Sequence, residues 1–270
     1  MVGMSSTPPL ARARRPAARR TALPLTAALL AAALVSALAG VASLLGAQPA
    51  CPDGTEPVAA EVCLDLRQTP ATAAHHPLLR TEVAATVDRV RQALELPRLT
   101  IVVVDQPSAV IPEVGLGGYT PGAAQVRLFV DPARADFAAN LARELRPLLA
   151  HELHHAARWK AVGYGFSLRD AAVSEGLADH FAQEVTGGAA PPWSRALDAD
   201  ALARWLPEVT TRGRGVYNHN AWFFGQGDSI PRWTGYAVGY ELVRRHLAAD
   251  TTRRASTLVR VPAATIAPSP

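Results

Sequence analysis

Acidic side chains are absent from the first fifty residues, cysteine occurs only twice, and no internal repeat or long linker divides the rest of the 270-residue chain. The missing acids account for the basic pI of about 9.5. Arg12, Arg14, Arg15, Arg19 and Arg20 all stand in the leader. The 27 basic residues less these five leave 22 against 23 acidic ones from Cys51 onward, a formal balance of −1. Past the leader there is no basic stripe with interleaved aromatics, so nucleic acid is not an expected partner. The two cysteines, Cys51 and Cys63, have no histidine nearby and make a poor zinc site. Behind a leader that argues for export they are expected to form one local disulfide pinning the start of the folded body. Without repeats or a linker, that body reads as one domain.

Charge is also missing from Thr21 to Pro52, and the apolar part of this run extends from Ala22 to Gly46. As a helix those residues would reach about 37 Å, enough for a hydrocarbon core of about 30 Å. Positive charge before the run, and none after it until Asp53, predicts an N-terminus inside and a body outside. The run exceeds the roughly 7–15 apolar residues usual in a cleaved signal peptide, although Ala37-Leu38-Ala39 would suit cleavage. Residues 1–50 are therefore read as a membrane anchor or signal peptide, with the retained anchor favoured. The expected location is the cell membrane, single-pass with the body outside the cytoplasm, or secretion if the leader is removed.

Within the body, His75-His76-Pro77 precedes apolar residues at three- and four-residue steps from Leu78 to Leu96, a helical pattern that Pro97 ends. His75 and His76 lie outside that pattern and read as a solvated pair. Leu99 to Asp105 is β-branched from Thr100 to Val104 and predicts a strand buried on both faces. Gly115 to Tyr119 reads as a loop or irregular strand. Gln125 to Val130 begins with alternation and predicts a half-exposed strand, expected at a sheet edge. A lead-in helix is expected over Asp136 to Glu144. A second helix then starts near Pro147, a residue suited to a first turn, and runs to Trp159. Gly163-Tyr164-Gly165 breaks it. Ser167 with Asp170 resembles the start of another helix, which stops at Gly187-Gly188. A short helix is expected over Ala199 to Leu206. Ser229-Ile230-Pro231 opens the last long one, and the proline-rich end from Ala263 should fray.

The chemistry sits in His151-Glu152-Leu153-His154-His155. Successive helical residues turn by about 100°, so His151 and His155 lie about 40° apart and can offer both imidazoles to one zinc ion. Glu152 can reach a water at that ion as general base. The motif asks for a third ligand from another element, and Glu175 follows His155 by twenty positions. Asp179, one helical turn beyond Glu175, suits the free ring N–H of a ligand histidine and is assigned to His151. A donor for a developing oxyanion is also required. Tyr236 and Tyr240 are candidates, with Tyr236 preferred and His180 and His219 still open. His154 is off the i, i+4 face and reads as a packing neighbour, while Trp159, Trp193 and Trp233 read as core or cleft wall.

Three stretches together resemble a bacterial family of predicted zinc-dependent proteases: Ala150 to His155, Ser174 to Asp179, and Pro231 to Tyr240. That family is similar in motif logic to the gluzincins, the thermolysin-like peptidases whose third zinc ligand is a glutamate on the following helix. The resemblance covers roughly Ile101 to Leu258. It implies Zn2+ at His151, His155 and Glu175, with Glu152 catalytic, in an HExxH-x19-E arrangement. The resulting expectation is an α+β, zincin-like metallopeptidase domain over 51–262, mostly helical with a small sheet. It follows the N-terminal transmembrane or signal helix and precedes a disordered tail over 263–270. Its partners would be a peptide or protein substrate and the membrane, through the N-terminal helix. The competing expectation is a membrane-tethered, metal-dependent binding or regulatory module without hydrolysis. An intramembrane peptidase is disfavoured, because charged residues flank the motif helix and only one apolar span exists.

Overall fold

The β-branched run Leu99–Asp105 forms a central strand, β3, of a five-stranded sheet. The computed structural model describes residues 51–211, 216–227 and 229–268. The leader and its apolar run lie outside those residues, and among the described residues no helix is long and apolar enough to cross a membrane. Before β3 come the strands β1 (Glu56–Ala59) and β2 (Val62–Gln68) and the helix α1 (His76–Ala93). β4 (Leu116–Gly122) and β5 (Gln125–Val130) follow it. The strand order is β1-β2-β3-β5-β4. β2, β3 and β5 run parallel, while β1 and β4 are antiparallel on the two edges. Parallel β2 and β3 need a crossover, and α1 supplies it, packing Leu79, Val83, Val87 and Val90 into the core. The other face of β3 carries Val102 and Val104, covered with Phe129 by Ala109 and Val110, so the strand is buried on both sides as its composition requires.

One strand expectation is corrected and another is narrowed. Residues 125–130 are not an edge: β5 pairs with β3 on one side and β4 on the other, so its backbone groups are already used. The edge is β4, formed by the glycine-dense stretch expected to be a loop or irregular strand, and its register against β5 shifts between Tyr119 and Gly122. Glycine is required there by close approach. A Cβ on Gly118 would lie 2.3 Å from Glu152 Oε1, and one on Gly117 would lie 2.2 Å from the Ala109 carbonyl. β-Propensity counts against glycine, and only the neighbouring helix explains its presence.

The lead-in and motif helices are likewise one element, α2 (Phe137–Ala161), with Pro147 inside it rather than at its start. An internal proline forfeits one helical hydrogen bond, a cost of about 3 kcal/mol in an exposed helix. Here burial of Leu141, Leu145, Leu148, Leu149 and Leu153 carries the helix past it. α3 (Leu168–Thr186) begins with a capping box between Ser167 and Asp170 and ends at Gly187, whose φ of 72° is left-handed. α4 (Ala199–Thr211), α5 (His219–Phe224) and α6 (Thr234–Ala248) follow. α6 begins after Trp233, which caps it at a φ of 70°, so Ser229, Ile230 and Pro231 lie ahead of the helix they were expected to open. α3 and α6 meet backbone to backbone. A Cβ on Gly176 would fall 2.2 Å from the Gly239 carbonyl oxygen, and one on Gly239 would fall 1.9 Å from that of Ala172.

The chain end does not fray over its described part. A last short helix, α7 (Ala263–Ile266), buries Ala263, Ile266 and Ala267. Arg158 in α2 donates to the carbonyls of Val259 and Val261, and its burial lowers its pKa to about 10. The apolar residues between the prolines hold this segment, and Arg169 donates to the Ala267 carbonyl at 3.4 Å; proline content alone does not reveal either. At the other end Cys51 and Cys63 are disulfide-bonded. His75 and His76 are half-buried rather than solvated. His75 packs edge-on against Phe137 at 5.0 Å, and His76 Nε2 lies 3.2 Å from the Thr69 carbonyl.

Candidate metal centre

α2 and α3 pack side by side, and their facing sides bring His151, His155 and Glu175 together. One donor atom from each residue lies within 4.8 Å of the other two, all three residues being buried. His151 Nε2 and His155 Nε2 are 3.0 Å apart, and Glu175 Oε2 lies 3.2 Å and 3.3 Å from them. Donors about 2.0–2.1 Å from a tetrahedral ion are separated from one another by about 3.3 Å. The side chains therefore fit zinc at its usual bond lengths. Helix geometry provides the histidine pair; the approach of α3 provides the carboxylate.

Hydrogen bonds fix the outer atoms of each ligand. His151 Nδ1 faces Asp179 Oδ1 at 2.7 Å, and His155 Nδ1 faces Ser174 Oγ at 3.4 Å. The Tyr164 hydroxyl donates to Glu175 Oε1 at 2.5 Å, which leaves Oε2 to face the imidazoles. Burial alone would raise the pKa of Glu175, but the adjacent His155 and His151 hold it well below the usual carboxylate range. Burial would lower that of His151, yet the carboxylates of Asp179 and Glu175 raise it well above the usual imidazole range. The cluster thus favours a positive charge, which a proton on His151 or a bound cation would supply. A bound metal would compete with that proton, so binding should release protons near pH 7 and affinity should rise with pH. Calorimetry in buffers of different ionisation enthalpy measures this directly; binding without proton release would contradict it.

Glu152 opens into a cavity of about 360 Å³ that also contains the three ligand residues. The Thr120 hydroxyl on β4 donates to its Oε2 at 2.6 Å, and burial raises its pKa. A second cavity of about 310 Å³ shares Gly118, His151, Glu152, Phe224 and Tyr236, so the cleft has two arms meeting at Glu152. Tyr236 lines both arms. Burial, with the nearby Glu175, keeps its hydroxyl protonated. Tyr240 does not reach the cleft: its hydroxyl donates to Gln183 Oε1 at 2.6 Å and its ring stacks on His180 at 4.0 Å. His180 in turn faces the Tyr240 carbonyl. His219 lines the cleft, with Nδ1 3.1 Å from the Tyr217 hydroxyl. His154 is fully buried against Phe181, and burial holds its pKa well below the usual value.

Sequence reasoning missed Thr120, Tyr164 and the pair Trp193–Ser194, which contacts Asp179. Tyr164 had a readable signal: it is the tyrosine in the short connection between the two helices that carry the candidate ligands. Thr120 and Ser194 had none, because each reaches the site from a separate part of the chain.

Two imidazoles one turn apart and a glutamate from the next helix, buried together in a mixed α/β domain, define a class of metal-ligand site. The chain belongs to the family described as Predicted Zn-dependent protease (DUF2268), whose model matches residues 79–268. The match spans α1 to α7, more than the motif stretches alone. No curated protein compared with the chain matches it.

Proposed function

We propose that this protein is an extracytoplasmic zinc metallopeptidase of the gluzincin kind, on a zincin-like α+β domain, with Glu152 as general base. The observation that carries this reading is the set of three donor atoms at tetrahedral spacing with Glu152 opening into the same cavity. When bound, zinc supplies a nucleophilic water near neutral pH and polarises the scissile carbonyl. Glu152 performs the proton transfers: it takes a proton from the attacking water as the C–O bond forms and delivers it to the amine as the C–N bond breaks. A base with a raised pKa works closer to neutral pH, and burial raises that of Glu152. Tyr236, kept protonated, donates to the carbonyl oxygen as it gains charge.

The substrate lies along the outer edge of β4. The Leu116 carbonyl faces outward, accepting from Ile111 N–H, so by the alternation of an antiparallel ladder Gly118 presents its amide groups on the same edge beside Glu152. The two arms of the cleft leave room for peptide on both sides of the reacting bond. A disulfide near the start of the body and an apolar leader behind five arginines support a location outside the cytoplasm, attached to the membrane or released. The test is elemental analysis of the purified protein paired with digestion of a broad peptide library, before and after chelation. One zinc per chain and chelator-sensitive cleavage are expected. Zinc without cleavage would make the domain a binding module instead.

A further inference from the structure

Asp179 is a buried carboxylate gripped from two sides. His151 Nδ1 lies 2.7 Å from Oδ1. Opposite it, the turn that follows α3 brings up Trp193 and Ser194. The Trp193 indole N–H donates to Oδ2 at 3.0 Å and also approaches Oδ1 at 3.2 Å, while the Ser194 hydroxyl donates to Oδ2. Asp179 has a relative exposure of 1%, so no solvent competes for these oxygens. A carboxylate bonded only to an imidazole could rotate about its own axis. With Oδ2 anchored from behind, Oδ1 stays on the ring nitrogen and the imidazole keeps the orientation that turns Nε2 toward Glu175.

We propose that Trp193 and Ser194 are positioning residues for the ligand His151, acting through Asp179. The proposal rests on the reading of the cluster as a metal site and extends it by one shell. Partners of ligand histidines typically matter by about 10–100-fold in metal affinity. Trp193 also ties this support to the cleft. Its ring lines the arm that contains Glu152 and Tyr236, at 6.2 Å from the Tyr236 ring, and it separates that arm from a cavity of about 510 Å³ behind it. One side chain therefore forms a wall of the substrate space and steadies the carboxylate behind the metal ligand.

The experiment measures zinc affinity by competition with a chromogenic chelator, independently of catalysis, for Trp193→Phe, Ser194→Ala and the pair combined. Phenylalanine keeps the aromatic wall while removing the N–H. Each single variant is expected to lose about 10-fold in zinc affinity, and Ser194→Thr, which keeps a hydroxyl, should recover it. A double-mutant cycle separates positioning from general loosening. In an Asp179→Asn background the same substitutions should cost little more, because the group they act through has already changed. Thermal melting of the metal-free variants checks that they fold; if Trp193→Phe does not, Ser194→Ala and its cycle decide the matter. Variants that hold zinc as tightly as the parent would overturn the proposal, and so would losses that add in full to that of Asp179→Asn. A parent that binds no zinc would instead overturn the metal reading beneath it.

Discussion

Glu152→Gln is expected to bind as much zinc as the parent and to lose about 10²–10⁴-fold in kcat/KM, the usual contribution of a positioned general base. Glutamine matches glutamate in shape, and its amide oxygen can still accept from the Thr120 hydroxyl, so the side chain should keep its place under β4. What it loses is the ability to take a proton. Glu152 is not among the three residues whose donor atoms converge, so zinc content should be unaffected. Metal analysis and peptide turnover on the same preparation separate the two effects. A glutamine variant as active as the parent would remove Glu152 from the proposed chemistry, whatever the metal content.

Glu175→Ala should do the reverse: abolish activity by emptying the site. It removes the one carboxylate among the three donors and deprives the half-buried Tyr164 of its hydroxyl's partner at 2.5 Å. Losing an outer partner of a ligand typically costs about 10–100-fold in affinity, and losing a ligand itself should exceed that range. The charge argument points the same way. With Glu175 gone, one of the two carboxylates that draw positive charge onto the cluster is missing, and a divalent ion loses that compensation. Chelator competition gives the affinity, and a melting curve of the metal-free protein shows whether the fold survives. If the alanine variant bound zinc like the parent, the third ligand would have to lie elsewhere in the chain.

The differences between expectation and structure follow the range of the forces involved. The run from Leu99 to Asp105 formed a strand because β-branched residues with no polar face allow little else, and its burial on both sides followed. Ser167 and Asp170 started α3 through hydrogen bonds within a single turn, and Gly187 ended it through its own φ. The misread segments were those decided at a distance. Pro147 looked like a helix start because proline removes a local hydrogen bond, yet five buried leucines carried α2 through it. Gly117 and Gly118 left loop and irregular strand both open because glycine has low β-propensity, and strand β4 is settled by its place against α2 and Ala109, where nothing larger fits. The end of the chain looked frayed because its prolines were visible, whereas the core that buries Ala263 and Ile266 and the Arg169 side chain that bonds Ala267 come from distant parts of the chain.

Sequence alone determined that His151 and His155 stand one turn apart on the same helical face, with Glu152 beside them, because helical pitch sets that relation within five residues. It also identified Glu175 and Asp179 as one turn of a second helix, for the same reason. Only the tertiary structure decided that the second helix approaches closely enough for Glu175 to meet the imidazoles. The same packing chose Tyr236 over Tyr240 for the cleft and brought Thr120, Tyr164, Trp193 and Ser194 to the cluster. Those choices depend on how separate elements pack, down to the bare glycine backbones where α3 meets α6, and no local spacing encodes such a contact.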